Sequence, residues 1–159
     1  MKKLWKYLLI GIGGLLIWIV FYSEMIKYPV RLTDMIVGLK AEANYIPFDY
    51  KESYATIRSC GKRCDILTVV YEGDLKEKLV VTATDYVSWA DDPKWDKNKL
   101  IPKTNYYYHN NNEKQMLYWR DDKEELELGL EYTGDRALPK KEFIKIANSI
   151  KAEGKKLDL

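Results

Sequence analysis

Two cysteines separated by three residues form the sharpest chemical feature of this 159-residue chain. Cys60 and Cys64 enclose Gly61, Lys62 and Arg63, and the glycine permits a tight turn between the thiols. If strands flank this turn, the two Cα atoms fall within the ordinary disulfide range of about 4.4–6.8 Å. The neighbouring cations favour thiolate chemistry, but the spacing is not Cys-x-x-Cys. We therefore favour a structural disulfide, with free thiols or redox-active thiols as the alternatives.

Metal, acid–base and nucleophilic catalysis lack the residues that they need. The chain has one histidine, His109, which excludes a multi-histidine metal site, and three asparagines follow it in a predicted turn. Carboxylates are plentiful, but they fall in predicted turns and are more simply explained as solvated charges. The sequence contains no glycine-flanked serine and no phosphate-binding glycine loop. We therefore predict no catalytic residue, no cofactor, no metal and no enzymatic activity.

Aromatic residues are abundant, with 13 tyrosines and five tryptophans. We predict that Trp89, Trp95 and Tyr107 contribute to a surface for a ligand or partner, such as a groove for an apolar ligand or a glycan. The plainer alternative is that the aromatic side chains fill the core of a small sheet. Strand alternation places Tyr107 on one face of such a sheet and both its neighbours on the other.

The elements that must position these residues are mainly strands. The pattern predicts strands over 53–59, 66–71, 78–84, 105–109, 115–120 and 126–132. In the last of these, leucines alternate with glutamates, which is typical of a strand with one buried face. A helix then begins near Pro139 and ends by Gly154. Its apolar residues follow a three-four spacing that forms one stripe: Phe143, Ile146, Ala147 and Ile150.

The first two dozen residues predict a membrane anchor. Residues 7–23 carry no charge and span roughly 26 Å as a helix, so residues 4–23 are expected to contact a lipid bilayer. Lys2, Lys3 and Lys6 precede this apolar run, which predicts a cytoplasmic amino terminus and a domain beyond the membrane. A cleaved signal peptide is one alternative, although the small residues needed for cleavage do not follow the run. A buried soluble helix is the other.

The charge balance argues against a nucleic-acid partner. Lys and Arg number 26, and Asp and Glu number 24. Because three of the lysines precede the apolar run, the rest of the chain is slightly acidic. A basic footprint for nucleic acid is therefore not expected.

The carboxy-terminal third resembles a known family. Met116-Leu-Tyr-Trp119, the charged turn that follows, the 126–132 strand and the 138–150 helix are similar to the end of the uncharacterised bacterial domain of unknown function 4367. That family is typical of membrane-anchored extracytoplasmic proteins of Gram-positive spore-formers, with proposed relatives among lipoprotein-carrier and anti-sigma-regulator domains. The resemblance covers residues 45–152 loosely and 115–151 best. It implies a sheet-and-helix fold and no catalytic residues, whereas the Cys60–Cys64 pair and the irregular 85–103 segment depart from it.

Together these observations predict an α+β protein in which an N-terminal transmembrane helix precedes an antiparallel β-sheet with a C-terminal amphipathic helix packed on it. The predicted organisation is a cytoplasmic stub and anchor at 1–26, a juxtamembrane linker at 27–44, an extracytoplasmic domain at 45–152 and a tail at 153–159. The predicted location is the cell membrane, and the predicted partner is an unidentified membrane or cell-envelope protein. The predicted function is a non-catalytic interaction or regulatory module. A domain that handles apolar ligands or lipids is the alternative, followed by a thiol-dependent enzyme.

Overall fold

A computed structural model describes residues 7, 11–14, 26–61, 64–74, 76–85, 100–111 and 114–155. Within these residues the chain forms eight strands. They are β1 (Lys40–Ala43), β2 (Tyr50–Gly61), β3 (Cys64–Gly73), β4 (Lys78–Thr84), β5 (Tyr107–Asn110), β6 (Gln115–Asp121), β7 (Leu126–Thr133) and β8 (Ile150–Glu153). A 3-10 turn (Val30–Leu32) leads into helix α1 (Thr33–Val37), and helix α2 (Lys140–Ser149) precedes β8.

Six of the strands form one antiparallel sheet in the order β2-β3-β4-β7-β6-β5. The sheet consists of two three-stranded meanders, β2-β3-β4 and β5-β6-β7, which are joined where β4 pairs with β7 and Val81 lies opposite Leu130. β1 and β8 form a separate two-stranded antiparallel sheet, in which Lys40 lies opposite Glu153. β2 and β5 are therefore the two edge strands of the large sheet.

One face of the large sheet is the hydrophobic core. Its aliphatic side chains come from alternate positions of the strands, as the period of a strand requires. β1 packs against β3 and β4 on this face, and α2 packs against β1. The most deeply buried side chains, each at most 1% exposed, include Leu67, Leu79, Leu117, Leu130, Phe143 and Ile146. Burial of each such side chain stabilises the fold by about 1.5–3 kcal/mol relative to exposure.

A buried glutamine holds the chain that enters α2. Gln115 in β6 is 3% exposed, and its Nε2 donates to the Tyr108 hydroxyl at 2.7 Å and to the Leu138 carbonyl at 2.8 Å. The Leu138 N–H donates back to Gln115 Oε1 at 2.6 Å. The side chain therefore meets the hydrogen-bonding needs of a buried amide and fixes the approach to α2 against β6.

The predicted α+β class with a leading transmembrane helix is wrong. Strands dominate the described chain, which is mostly β, and the carboxy-terminal helix α2 is short, at ten residues. The six predicted strands are all present in the large sheet, and the apolar stripe of α2 does contribute Phe143 and Ile146 to the core. The described chain contains more strand than its local patterns indicated, because β1 and β8 form a second sheet that no local pattern predicted.

The predicted anchor lies largely outside the described residues, which include only residue 7 and residues 11–14 of the 4–23 segment. A helix needs about 20 consecutive apolar residues to cross a bilayer. No helix in the described part of the chain is long and apolar enough to do so. This finding contradicts the predicted single-pass location in the cell membrane. The predicted domain boundaries stay predictions.

Candidate interaction surface

The second face of the six-stranded sheet carries the residues that alternate with the core, and we call it the open face. With neighbouring strands about 4.8 Å apart, it extends roughly 24 Å from β2 to β5. Thr56 and Val70 on this face are only 8% and 5% exposed, and most of its other side chains are half-buried. The open face consists of Glu52, Tyr54, Thr56 and Arg58 in β2; Ile66, Thr68, Val70 and Glu72 in β3; Lys78, Val80, Thr82 and Thr84 in β4; Glu127, Gly129, Glu131 and Thr133 in β7; Met116, Tyr118 and Arg120 in β6; and Tyr107 and His109 in β5.

A row of small side chains crosses the centre of the open face. From β2 to β5 the directly opposed residues are Thr56, Thr68, Thr82, Gly129, Tyr118 and Tyr107. The Tyr118 ring covers Gly129, because a Cβ built at Gly129 would lie only 3.3 Å from Tyr118 Cε1. The row is therefore a shallow threonine track that ends in two tyrosines.

Ion pairs flank this row on both sides. They join neighbouring strands: Glu72 with Lys78 at 3.5 Å, Lys114 with Glu131 at 2.8 Å and Arg120 with Glu127 at 2.9 Å. The side chains of these pairs are between 18% and 43% exposed. Pairs that remain in contact with solvent contribute only about 0–1 kcal/mol each, so their main effect is to favour the observed strand register. They also leave the open face close to electrically neutral.

At the β2 edge, Lys27 reaches over the open face. Its Nζ lies 3.8 Å from the centre of the Tyr54 ring and 3.1 Å from Glu52 Oε1, and the hydrogen bond to Glu52 raises the pKa of Lys27. The Tyr54 hydroxyl donates to Glu72 Oε1 at 3.0 Å. Burial, followed by that hydrogen bond, raises the pKa of Tyr54. The ring is thus held in place as a neutral hydrogen-bond donor.

The predicted Cys60–Cys64 disulfide is present at the end of the β2–β3 hairpin, with the Cα atoms 5.1 Å apart. The strand register shifts between Ser59 and Gly61, and Gly61 has a positive φ of 141° that a residue with a side chain rarely adopts. The Ser59 hydroxyl lies 3.3 Å from the carbonyl of Cys64. Since both sulfurs are bonded to each other, thiol chemistry at this site would first require reduction.

Of the predicted surface residues, Tyr107 lies on the open face, half-buried and opposite Tyr118. Trp89 and Trp95 lie outside the described residues. The structure places Tyr107 and the disulfide on opposite edges of the sheet, so they do not form one site. The threonines and Tyr118 were missed, although the alternation of Tyr118 with the apolar Leu117 and Trp119 assigns it to the outer face.

A lysine holds two carboxylates together beside the disulfide. Lys155 Nζ lies 2.5 Å from Asp65 Oδ2 and 2.9 Å from Asp85 Oδ2. Burial alone would lower the pKa of Lys155, but the two carboxylates outweigh it and raise that pKa. The cluster therefore fastens the chain after β8 to β3. Within the described residues, no group of three or more histidines, cysteines or acids is placed to hold a metal ion.

The interior between the large sheet and α2 is filled. Leu130 on the sheet and Phe143 and Ile146 on the helix are each at most 1% exposed and belong to one continuous core cluster. Two hollows of the described chain are open at its surface. One of about 400 Å³ is lined by residues 43–46 and 48–50, and one of about 610 Å³ lies along the outer side of α2. Neither is a dry chamber between sheet and helix.

Comparisons of the chain with protein families, with curated proteins and with solved structures give no match. The resemblance to domain of unknown function 4367 therefore stays a prediction. The function has to be argued from the chemistry of the surface.

Proposed function

We propose that this protein is a non-catalytic interaction module that binds another protein through the open face. The supporting observation is the composition of that face, which combines tyrosine, arginine and methionine with charges that are already paired. These three residue types are enriched at protein–protein interfaces. On the open face they are Tyr54, Tyr107, Tyr118, Arg58, Arg120 and Met116.

The charge of the open face favours a protein partner over a polyanion. In the part of the chain that the structure describes, Lys78, Lys114 and Arg120 each pair with a glutamate of a neighbouring strand, so these cations form no basic patch for phosphates. Tyrosines of restricted mobility, such as Tyr54 under Lys27, supply contact area at a low entropic cost on binding.

The size of the open face indicates a small interface. Six strands about 4.8 Å apart, with a mean length of eight residues at about 3.3 Å per residue, give roughly 630 Å² of sheet. A standard interface buries about 800 Å² on each partner. The open face alone therefore supplies somewhat less than that area, which places it toward the smaller, transient contacts.

The lipid-handling alternative has less support. A lipid carrier needs an internal chamber for an acyl chain, whereas Leu130, Phe143 and Ile146 occupy the described space between sheet and helix.

Site-specific photo-crosslinking tests the proposal. A benzophenone amino acid is placed at Tyr118 of the full chain, or at Tyr50, which is 48% exposed and contacts core-facing Tyr71 edge-to-face, away from the open face. In the cells that make the protein, we expect one discrete protein adduct from position 118 and none from position 50.

A blocking variant makes the test specific. Thr82→Arg places a long cation in the threonine track, and we expect it to abolish the adduct from position 118 while leaving the thermal midpoint nearly unchanged. Adducts with lipid alone, equal adducts from both positions, or no adduct would each contradict the proposal.

A further inference from the structure

The residue that follows β8 by two positions is fastened to two other parts of the chain. The Lys155 ammonium group contacts the carboxylates of Asp65 and Asp85, and we call these three side chains the clasp. The aliphatic part of Lys155 lies against Gly38, because a Cβ built at Gly38 would be 3.3 Å from Lys155 Cγ. One lysine therefore joins the end of β8 to the large sheet and to the residue after α1.

The clasp closes one end of the β1–β8 pair, which we call the small sheet. Gly38 comes two residues before β1 begins, and Lys155 comes two residues after β8 ends. The rung beside them is Lys40 opposite Glu153, and the small sheet has only four such rungs. Its lysines, alanines and glutamates have low strand propensity, so this end of the small sheet relies on the contacts of Lys155.

The clasp is connected to the disulfide through Asp65, which directly follows Cys64 in the chain. The Asp65 N–H donates to Asp85 Oδ1 at 2.7 Å, and the Asp65 carbonyl accepts from the Thr84 hydroxyl at 3.2 Å. The carboxylate of the same residue contacts Lys155 at 2.5 Å. A displacement of Cys64 therefore acts on every contact that holds the clasp to the start of β3.

The disulfide restrains the position of Cys64. The ladder between β2 and β3 is regular at Ser59 and Asp65, and its register shifts before Gly61 and Cys64. This irregular rung is the last one before the turn, so the bond to Cys60 is the covalent restraint that closes the end of the hairpin. Breaking that bond gives Cys64, and the peptide bond that joins it to Asp65, more conformational freedom.

We propose that the Cys60–Cys64 disulfide is a redox-sensitive latch, whose reduction by an external dithiol opens the clasp and frays the small sheet at its Lys40–Glu153 end. Fraying there uncovers Leu39, which is fully buried. The latch depends on the disulfide and the clasp and not on the open face. This proposal and the proposed function can therefore fail separately.

The chemical step is a thiol–disulfide exchange. Cys60 is exposed, whereas Cys64 is only 7% exposed, so one thiolate of the dithiol attacks the Cys60 sulfur. The bond between the two cysteines breaks, and Cys64 leaves as a thiolate that takes up a proton. The second thiol of the dithiol loses its proton and displaces Cys60 from the mixed disulfide. The dithiol is thereby oxidised to a disulfide, and the protein carries two thiols.

Amide hydrogen exchange of the full chain labelled with ¹⁵N tests the latch, with dithiothreitol as the dithiol. We expect the amides of β1 and β8 to exchange about tenfold faster after reduction, while those of β6 and β7 change by less than about twofold. Unchanged exchange in β1 and β8 would overturn the proposal. Equal acceleration in all four strands would also overturn it, because that is the effect of a crosslink that stabilises the whole fold.

Lys155→Met separates the clasp from the disulfide. Methionine keeps an apolar stem against Gly38 and removes the ammonium group from the two carboxylates. We expect the small sheet to exchange about tenfold faster with the disulfide intact, and dithiothreitol to add little more, because coupled changes are not additive. A full response to dithiothreitol in this variant would overturn the proposal.

Lys40→Met is the matched control. It removes a different lysine from the same end of the small sheet, where Lys40 Nζ lies 3.6 Å from Glu153 Oε1, and leaves the clasp intact. We expect the response of β8 to dithiothreitol to persist in this variant. If the response disappeared as it does in Lys155→Met, the clasp would have no special part in it and the proposal would be overturned.

Two further variants cover the case in which Lys155→Met does not fold. Asp85→Asn keeps an oxygen that can accept from the Asp65 N–H but removes one negative charge from the clasp, so we expect a smaller response to dithiothreitol. Replacement of both cysteines by serine should reproduce the exchange of the reduced chain and abolish the response. An unchanged response in either variant would contradict the proposal.

Discussion

The two faces of the large sheet come from the same strands and differ in almost every property. On β4, Val81 is fully buried in the core, whereas the next residue, Thr82, is half-buried on the open face. The core face is a continuous cluster of aliphatic and aromatic side chains, and the open face combines threonines, tyrosines and paired charges. Stability and recognition are therefore assigned to alternate residues of one set of strands, which makes them separable by substitutions one position apart.

The largest expected effect contrasts two neighbours on β7. Leu130→Ala removes a side chain that is 1% exposed, and we expect the free energy of unfolding to fall by about 2–5 kcal/mol, because the cavity adds to the lost burial. Glu131→Ala removes the half-buried, solvent-contacting pair with Lys114, so a loss of at most about 1 kcal/mol is expected. Urea denaturation of both variants provides the measurement. Similar losses would mean that the open face is packed like a core.

This difference between the faces is a local property, and for that reason it was predictable. Leu126, Leu128, Leu130 and Tyr132 alternate with polar residues, and the structure buries all four. The position of β4 was predicted residue for residue, since its β-branched run ends at clear turns. The Cys60–Cys64 bond is equally local, because only three residues separate the thiols.

What sequence reasoning missed depends on contacts between distant parts of the chain. β1 and β8 consist mainly of lysine, alanine and glutamate, which favour helices over strands. They form a sheet because Ala41 meets Ala152 across more than a hundred residues. Because the sequence gives no sign of that pairing, residues 27–44 were predicted to be a linker. The strand content of the chain was therefore underestimated, and the predicted fold class was wrong.

The candidate surface was only partly predictable for the same reason. Tyr107 could be assigned to a surface from its own alternation, but its neighbours on the open face follow from the strand order. Thr82 reaches Tyr118 only because β4 pairs with β7. The spacing of residues within either meander does not predict that β4 pairs with β7, so the sequence did not predict the threonine track.

A smaller effect arises where the core face carries a titratable group. Tyr71 is 3% exposed, and burial raises its pKa to about 12, even though the Ala43 N–H that donates to its hydroxyl at 3.2 Å acts in the opposite direction. In the unfolded chain a tyrosine titrates near pH 10. Below about pH 10 both states are protonated and the stability is fully present. Above it the unfolded state loses the proton first, so stability falls until about pH 12, by up to about 2.7 kcal/mol.

Urea midpoints between about pH 9 and pH 12 measure this fall, with Tyr71→Phe as the control that removes the titrating hydroxyl. Tyr118→Phe sharpens the comparison, because burial also raises the pKa of that open-face tyrosine. We expect the Tyr71 variant to flatten the alkaline profile more than the Tyr118 variant. The reverse order would mean that burial raises the pKa of Tyr118 on the open face more than that of Tyr71 in the core.

The smallest expected effect tests how the open face is packed. Gly129 has no positive φ, so its backbone accepts alanine, but the new Cβ would lie 3.3 Å from Tyr118 Cε1 and 3.7 Å from Thr82 Cβ. Gly129→Ala therefore displaces the Tyr118 ring by a few tenths of an ångström, which lowers the free energy of unfolding. It also restricts the unfolded chain, which raises the free energy of unfolding. We expect the free energy of unfolding to change by less than about 1 kcal/mol, while the NMR signals of the Tyr118 ring and the Met116 methyl group shift. If the free energy of unfolding fell as much as in Leu130→Ala, the division between the faces would be contradicted. Such a loss would mean that the Tyr118 ring is held as tightly as a side chain in a close-packed core.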